Sequence, residues 1–575
     1  MADSRADLAR IDLAASIDQK DFTALPLQRR LELLPYLPPS RRRNYVLACE
    51  DSKALVEAMQ PQDLFLTIKE IGLHDAAEIV GLASPEQFQN CLDLDCWNRD
   101  VIDAETSWQW LTVLSEAGLD VLMGKVGALD FEVGIALFAE HVKVYVAKED
   151  FDPDEGVPPG SFTADGVYHL VIDASPDRVE LIEKMVTDLF HRDSDLYLRL
   201  LSAVRDGMNA PVQEEALRWR TARLADLGFP DYVESLKVYS RPDKKKERRD
   251  LRSAVPKGDV PPSFAIIRHD GLSVVPLDAA ARVDSDDAAA VAAGAAYLVN
   301  WLAVADRVDP GDVTQVRELM EKARGYVSIG LHEIGGDPAR TLASTPMLDI
   351  FRTGFARAKD LADRAKRIVA EHPLIAGDKK ALRLDEVSRE TVAALLQPRP
   401  LLYLGAVKDG AAGMGHFSSA HDVAAISGLL DKVDASAEVF GTVLKIFKKD
   451  LLALDLKGLN VPIRDDLTVS RVFNTAVAQK ALKDAFVLEP VAAGDLAKLH
   501  GLLFVRSGDG WDIAPSAAET VKDIMEVVER KRPDLRRPAM QFMNACLEDL
   551  RDSLAHVDFS KEVKPDFIGS LIIRK

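Results

Sequence analysis

Two cysteines lie close together in the sequence QNCLDLDCWN. Cys91 and Cys96 are separated by four residues, with Asp93, Asp95 and His74 nearby. Thiolates and imidazoles bind structural zinc, but such sites normally combine two closely spaced pairs of ligands. No second Cys or His pair follows at a comparable distance. We therefore predict no metal site here and interpret both cysteines as thiols packed near a helix end.

A second candidate is the glycine-rich segment GAVKDGAAGMGHF, residues 405–417. Gly410, Gly413 and Gly415 could bring backbone N–H groups close to a phosphate. The segment lacks the Lys and Ser or Thr of a P-loop, and no acidic residue completes a dinucleotide-binding motif. We interpret it as a flexible loop and predict no cofactor-binding residue, so the sequence leaves any cofactor unknown.

The histidines also lack a second metal ligand at the sequence spacing that a helical metal site requires. His416 and His421 are five residues apart, whereas two ligands on one helix face are four apart. His332 and Glu333 match part of a zinc-protease motif in which Gly336 replaces the second histidine. We also find no Ser between glycines at a strand-to-helix turn and no Cys with a local catalytic signature. The sequence therefore predicts no catalytic residue, and these histidines are expected to be structural or exposed.

Two basic runs stand out in an acidic chain. The chain has 92 acidic and 72 basic residues, a net charge of −20, which argues against general nucleic-acid binding. The runs are RRR at 41–43, expected on the solvated face of a helix, and KKKERR at 244–249, expected in a linker. Neither contains the aromatic residues that stack on bases. Either run could meet an acidic protein partner.

Proline spacing organises the N-terminal part of the chain. Pro39, Pro61 and Pro85 each open a segment with apolar residues at helical spacing, and proline is favoured in the first helical turn. Ser84 is expected to cap the helix that begins at Pro85, and Asp51 or Ser52 the segment KALVEAM. Pairs of short helices with one apolar face each stack into a superhelix. The pattern continues to about residue 145.

These repeats resemble a known domain. The strings LELLPYLPPSRRRNYVL, LVEAMQPQDLFLTI and HDAAEIVGLASPEQF look like the cytosolic helical domain of MgtE magnesium transporters, which is related to the flagellar switch protein FliG. The resemblance covers roughly 80 residues and implies a right-handed helical superhelix used for contacts. The pore and the nucleotide-binding domains of those transporters have no counterpart here. As a whole, the chain resembles a large uncharacterised bacterial family of helical proteins described as a domain of unknown function.

The rest of the chain is predicted to be helical with a few inserted β-hairpins. Asp-Gly pairs flanked by apolar residues, a hairpin signal, occur at 165–166, 270–271 and 509–510. The charged, proline-containing segment 241–263 is the strongest boundary. We predict a mainly α, multi-domain protein. Its predicted parts are a helical-repeat superhelix (1–146), a helical continuation with a hairpin (147–240), a linker (241–263), a helical domain with a hairpin (264–404) and a C-terminal helical domain (405–575).

The composition also bears on the compartment. Four cysteines are too few for a disulfide framework in 575 residues, and the N-terminus has no apolar signal-peptide core. Residues 288–305 approach the length of a membrane span, but ten of them are Ala or Gly, and acidic residues flank them. We expect a buried helix there, no membrane span and a cytoplasmic location.

Three functions remain open from the sequence. The leading hypothesis is a non-catalytic interaction or regulatory scaffold with protein partners, because the chain is rich in helical repeats and poor in reactive constellations. The first alternative is an enzyme whose site is assembled from distant residues. The second is a metal- or ligand-sensing module. The oligomeric state is not predicted.

Overall fold

The computed structural model describes residues 12–147, 157–207, 210–242, 273–375, 383–507, 510–561 and 563–575. It is 67% helical, and its strands are short and paired in twos, so the predicted mainly α fold with inserted hairpins is confirmed. The chain divides into two units, residues 1–354 and 355–575. The predicted linker lies outside the described residues except for 241 and 242, and the finer division into domains stays a prediction.

The first unit is built from helices of very different lengths. Those of its N-terminal part are α1 (Gln19–Ala24), α2 (Leu27–Leu33), α3 (Pro39–Leu47), α4 (Ser52–Glu57), α5 (Pro61–Ile71), α6 (Ala77–Leu82), α7 (Pro85–Asp95), α8 (Ala104–Ser115), α9 (Leu119–Val126) and α10 (Phe131–His141). They are followed by α11 (Pro176–Arg192), α12 (Ser194–Asp206), α13 (Ala210–Asp226), α14 (Tyr232–Ser235), α15 (Leu277–Ala280), α16 (Ser285–Asp306), α17 (Val313–Ile334), α18 (Pro338–Ser344) and α19 (Met347–Glu371), within which the unit ends.

The second unit contains the remaining helices. They are α20 (Glu386–Leu395), α21 (Ala420–Glu438), α22 (Lys448–Ala453), α23 (Val469–Lys483), α24 (Leu496–Leu503), α25 (Pro515–Lys531) and α26 (Arg536–Leu554). A π-helical turn, Val439–Leu444, continues α21. Helix α21 packs against α26, and α23 packs against α24 and α26.

The strands form two-stranded ladders among the described residues. The antiparallel pairs are β1 (Trp97–Asn98) with β2 (Val101–Ile102), β3 (Val142–Val146) with β4 (Tyr168–Ile172), β5 (Leu402–Tyr403) with β6 (Met414–Gly415), and β8 (Phe504–Ser507) with β9 (Gly510–Ile513). The parallel pair is β7 (Val491–Ala492) with β10 (Ile573–Arg574). The hairpin predicted around residues 509–510 is therefore present.

The other two predicted hairpins have different outcomes. At 165–166 the Asp165 carboxylate accepts hydrogen bonds from the backbone N–H groups of Val167 and Tyr168, which closes a turn. The turn joins Phe162 to Leu170 by a single antiparallel bridge, whereas the main partner of β4 is β3. The hairpin predicted at 270–271 lies outside the described residues.

The helix starts in the repeat region follow the proline signals. Helices α3, α5 and α7 begin at Pro39, Pro61 and Pro85. Ser84 caps α7 in a capping box, because its hydroxyl accepts from the N–H of Gln87 while the Gln87 side chain accepts from the N–H of Ser84. Asp51 occupies the cap position of α4 without capping it. Its carboxylate instead accepts two hydrogen bonds, at 2.6 and 2.7 Å, from the buried Arg30 guanidinium.

The expectation that residues 41–43 lie on a solvated face is wrong for Arg42. Its side chain is only 4% exposed and forms an ion pair with Glu70 of α5, which is 5% exposed. The guanidinium also donates to the carbonyl oxygens of Leu37 and Pro35, each at 2.8 Å. Arg43, the next residue, forms an exposed ion pair with Glu78. Arg42 is buried because these partners satisfy its donors.

The core of the first unit contains large aromatic side chains. Trp108 and Trp110 of α8 have no exposed surface. Trp110 stacks on Phe65 and meets Phe88 edge-on, and its indole N–H donates to Asp95 at 2.8 Å. A buried indole needs such an acceptor. Helices α5, α7 and α8 are thereby joined around one side chain.

The apolar segment 288–305 forms most of α16. The stretch Asp287–Asp306 is long and apolar enough to cross a membrane, but 56% of its most apolar window is buried within the protein. Helix α16 packs against α17 and α18, and its Asn300 amide donates to the carbonyl of Leu227 at 3.0 Å. These contacts are those of a core helix, as expected from the sequence.

Helices α17 and α19 cross at glycines. A Cβ atom at Gly330 would lie 1.9 Å from the Ile350 carbonyl oxygen, and one at Gly354 would lie 2.0 Å from the Tyr326 carbonyl oxygen. The two backbones therefore touch, and no side chain fits between them. Volume cannot be added at such a contact without moving a helix.

Gly330→Ala is expected to lower the free energy of unfolding by at least about 3 kcal/mol, because the helices must separate. Gly124→Ala in α9 is the matched control, since a Cβ there meets nothing within 4 Å. The control is expected to stabilise by about 0.5–1 kcal/mol through helix propensity. Urea unfolding followed by circular dichroism measures both. Equal effects of the two substitutions would contradict the close crossing.

Arg42→Ala and Arg43→Ala test whether Arg42 is in a buried ion pair and Arg43 in an exposed one. The first leaves the Glu70 carboxylate buried without its partner and is expected to cost about 3–5 kcal/mol. The second removes an exposed pair and is expected to cost less than about 1 kcal/mol. The same unfolding measurement separates them. A cost at Arg43 as large as that at Arg42 would count against the buried ion pair.

Candidate functional site

The three histidines considered above, His332, His416 and His421, lie at exposed positions. His332 belongs to the first unit, while the other two belong to the second. The carboxylate of Asp422, beside His421, accepts from Ser418 and Ser419 at the start of α21 and so serves as a cap. None of these histidines lines the groove described below.

The cysteine pair lies in the core. Cys91 and Cys96 are each 1% exposed, and burial raises the pKa of both thiols above the usual range. A protonated thiol is a poor metal ligand, because zinc binds the thiolate. The described residues contain no group of three His, Cys, Asp or Glu side chains that could hold a metal ion.

The glycine-rich segment is the turn between β5 and β6. The Leu404 N–H donates to the Gly413 carbonyl at 3.0 Å, and the N–H groups of Val407 and Lys408 donate to the Leu404 carbonyl. Gly410 and Gly413 have positive φ angles of 73° and 94°, which suit glycine. The segment thus has the backbone conformation of a tight turn between the two strands.

A buried carboxylate, that of Asp93, is the centre of an ionic network that the sequence analysis did not predict. This carboxylate has no exposed surface. It accepts from Arg223 Nε at 2.6 Å and Nη2 at 3.1 Å, and Arg220 Nε donates to its backbone carbonyl at 2.9 Å. Burial raises the pKa of the Asp93 carboxyl even though Arg223 acts to lower it. The network joins α7 to α13. Its carboxylate is buried, whereas the Arg223 side chain is 25% exposed.

A second bonded set unites Tyr239, Asp306 and the buried Lys322. Lys322 Nζ donates to Asp306 Oδ2 at 2.5 Å and to Tyr239 Oη at 2.6 Å, and the tyrosine hydroxyl donates to Asp306 Oδ1 at 2.5 Å. Lysine and tyrosine side by side could transfer protons to a bound substrate. Lys322 is only 3% exposed, however, so its position is that of a structural group.

In the second unit, His372 and Ser436 form a buried pair. The Leu374 N–H donates to His372 Nδ1 at 3.2 Å, so the proton of the neutral ring is on Nε2. Nε2 lies 3.0 Å from Ser436 Oγ and donates to it, and the Ser436 hydroxyl donates to the Val433 carbonyl at 2.8 Å. The imidazole therefore cannot take the serine proton. Burial lowers the pKa of His372 to about 4.

An open groove of about 430 Å³ lies where α10, β3 and the end of α12 meet. It is lined by Ala136, Ala139, Glu140, Val142, Lys143, Val144, Tyr145, Val204, Arg205 and Gly207. Successive side chains of a strand point to opposite faces, so a groove lined by four consecutive residues of β3 follows the strand edge. No other strand among the described residues pairs with this edge.

The hydrogen-bond pattern identifies which backbone groups point into the groove. Leu170 of β4 exchanges both of its bonds with Phe162, at 2.7 and 2.9 Å, so its N–H and C=O point away from β3. Val144, directly opposite Leu170, must then be in a non-hydrogen-bonded pair. Its N–H and C=O point away from β4, and those of Val146, two residues later, do the same. No strand in the part of the chain that the structure describes bonds to these groups; Val144 lines the groove, and Val146 is the last residue of β3.

The side chains of the groove differ between its two faces. Val142 and Val144 are buried, and Tyr145 is half-buried. Lys143 is exposed and has no ion-pair partner among the described residues. Arg205, at the end of α12, lies 3.5 Å from Asp206. The groove therefore offers backbone donors and acceptors, apolar surface and a cation, but no cluster of reacting groups.

Comparison with known proteins shows the family to which the chain belongs. A model described as DUF6178, a family of unknown function, matches residues 19–574. The chain belongs to the DUF6178 family. The expected membership of a family of unknown function is thus confirmed. No curated protein and no solved structure matches the chain, and the likeness to the MgtE and FliG domains stays a prediction.

The buried imidazole of this DUF6178 member predicts a pH dependence of stability. The pKa of His372 is about 4 in the folded protein and about 6.5 when unfolded. The contribution of the neutral His372 side chain to the free energy of unfolding is complete above pH 6.5. It is lost as the pH falls toward 4, because the imidazole then binds a proton in the unfolded chain but not in the folded protein. The loss is about 3 kcal/mol.

His372→Gln is expected to abolish this part of the pH dependence. Ser436→Ala is the control. It keeps His372 buried and is therefore expected to lose the same amount of unfolding free energy at low pH as the wild type. Urea unfolding of the three proteins at several pH values measures the difference. A His372→Gln profile parallel to that of the wild type would show that His372 does not titrate in this range.

Proposed function

We propose that this protein is a non-catalytic interaction scaffold that binds a partner protein through the groove at the β3 edge. The observation that carries the proposal is the unpaired edge of β3 inside a groove. Backbone N–H and C=O groups without partners are strong, obligatory hydrogen-bonding groups, and another chain can supply their partners. A segment that adds to a sheet edge is a common mode of protein recognition.

The placement of the reactive side chains supports the scaffold over the enzyme. A catalytic group must be within hydrogen-bond reach of a substrate. Lys322 is buried and bonded to Tyr239 and Asp306, and the His372 tautomer does not activate Ser436. By contrast, Lys143 and the edge of β3 are open to a macromolecular partner.

The cysteines support a cytoplasmic location for this scaffold. All four cysteines are free thiols, and all are buried. Unpaired thiols are typical of a reducing compartment. We therefore include the cytoplasm, without a membrane span, in the proposal.

The test is affinity capture of the tagged full-length protein from its host. The double substitution Lys143→Glu and Arg205→Glu is expected to abolish stoichiometric recovery of a partner, because both reverse the charge at the groove. The matched control is Lys522→Glu on α25, an exposed lysine of the second unit. It is expected to retain the partner.

Either of two results would contradict the proposal. One is the recovery of the same partners with the groove variant as with the wild type. The other is a copurifying small molecule that the protein converts to a product. Circular dichroism of each variant checks that the fold is unchanged, so loss of a partner can be attributed to the groove.

A further inference from the structure

The geometry of β3 specifies what kind of segment could add to its edge. Directly opposite residues of neighbouring strands have side chains on the same face of the sheet. A residue opposite Val144 would therefore point toward the protein interior. The residues before and after it would point outward, beside Lys143 and Tyr145. An incoming strand thus meets an apolar face and a polar face in alternation.

The inward face favours small branched apolar side chains. The groove there is lined by Ala136 and Ala139 of α10 and by Val204 and Gly207 at the end of α12. Alanine and glycine leave space next to the strand that a larger residue would fill. Val142 and Val144 are 3% and 8% exposed and therefore already covered, whereas Val146, on the same face of the strand, is 37% exposed and can pack against an incoming apolar side chain. Valine and isoleucine also suit an extended backbone.

The outward face favours an acidic residue. Lys143 is exposed on the strand and lacks an ion-pair partner among the described residues. Opposite charges on directly facing strand residues attract, and like charges repel. Glu140, also exposed, lines the groove three residues earlier. It disfavours a uniformly acidic peptide, so one carboxylate opposite Lys143 suits the groove better than a run of them.

We infer that the groove binds an extended segment of a partner protein as a third strand on β3, with branched apolar side chains beside Val144 and one acidic side chain opposite Lys143. This inference rests on the proposed function. It adds the chemistry and the backbone conformation of the bound segment. Val144 and Val146 supply the backbone hydrogen bonds, and Lys143 selects the charge.

Two synthetic peptides provide the probe. Fluorescein-labelled SGVTVDVTVGS carries valines on one face and a central acidic residue on the other, and SGVTVKVTVGS replaces that residue with lysine. Fluorescence anisotropy with the full-length protein measures both. The acidic peptide is expected to bind about fivefold more tightly than the basic one, and Lys143→Glu is expected to reverse this preference.

A backbone variant tests strand addition separately from charge. Val146→Pro removes an N–H that points away from β4, so it leaves the β3 and β4 ladder intact. It is expected to weaken both peptides by about tenfold. Val146→Ala is the matched control, because it shortens the same side chain, 37% exposed in the structure, and keeps the N–H. Equal melting temperatures of the two variants show that the fold is retained.

Several results would overturn the inference. These are equal affinities for the two peptides, no binding of either at about 0.1 mM protein, or unchanged binding by Val146→Pro. A different outcome is also informative: the groove variant loses the captured partner, yet the wild type binds neither peptide. This would support the proposed function but reject an acidic extended segment as the ligand. Self-association of the wild type that Val146→Pro abolishes, measured by sedimentation velocity, would assign the edge to a second copy of this chain instead.

Discussion

The packing of the first unit depends on the pairing of charges that its helices bury. A charged group removed from water without a partner costs several kcal/mol, so helices that bury charges can pack only where the partner is in reach. Each of these pairs connects two helices and thereby restricts their relative position. The pairs are Arg42 with Glu70, Asp93 with Arg223, and Lys322 with Asp306.

The same constraint limits the chemistry of these groups. A group that satisfies a buried partner is held in one geometry and is not available to a substrate. In the second unit, His372 follows the same rule, since its two nitrogens are occupied by Leu374 and Ser436. These bonded side chains therefore contribute to the packing of the helices that carry them.

The groove lies at β3 because helices and strands differ in how their backbone N–H and C=O groups find hydrogen-bond partners. A helix bonds its own N–H and C=O groups, whereas a two-stranded ladder leaves one edge of each strand unpaired. On β4 the outer edge is partly closed by the bridge from Phe162. On β3 it faces the groove, beside Val204 of α12 and Gly207, which follows that helix. A protein built mainly from helices thus concentrates its unpaired backbone at a few strand edges.

Local sequence signals predicted much of the architecture and little of the site. Pro39, Pro61 and Pro85 marked helix starts, since a proline ring favours the first turn whatever surrounds it. The solvated position predicted for Arg42 was wrong, because the burial of this side chain depends on Glu70, 28 residues away. The Asp93 network and the His372 pair were missed for the same reason, as their partners are far along the chain.

What the sequence determined by itself was the helical class of the fold, the helix boundaries at prolines and caps, the buried character of α16 and membership of a family of unknown function. These follow from local preferences and composition. Only the tertiary structure decided which charges are buried in pairs, which tautomer His372 adopts and where a strand edge remains open. Those properties depend on contacts between residues distant in sequence. The edge of β3 is unpaired because β4 bonds only one side of it, which local sequence cannot reveal.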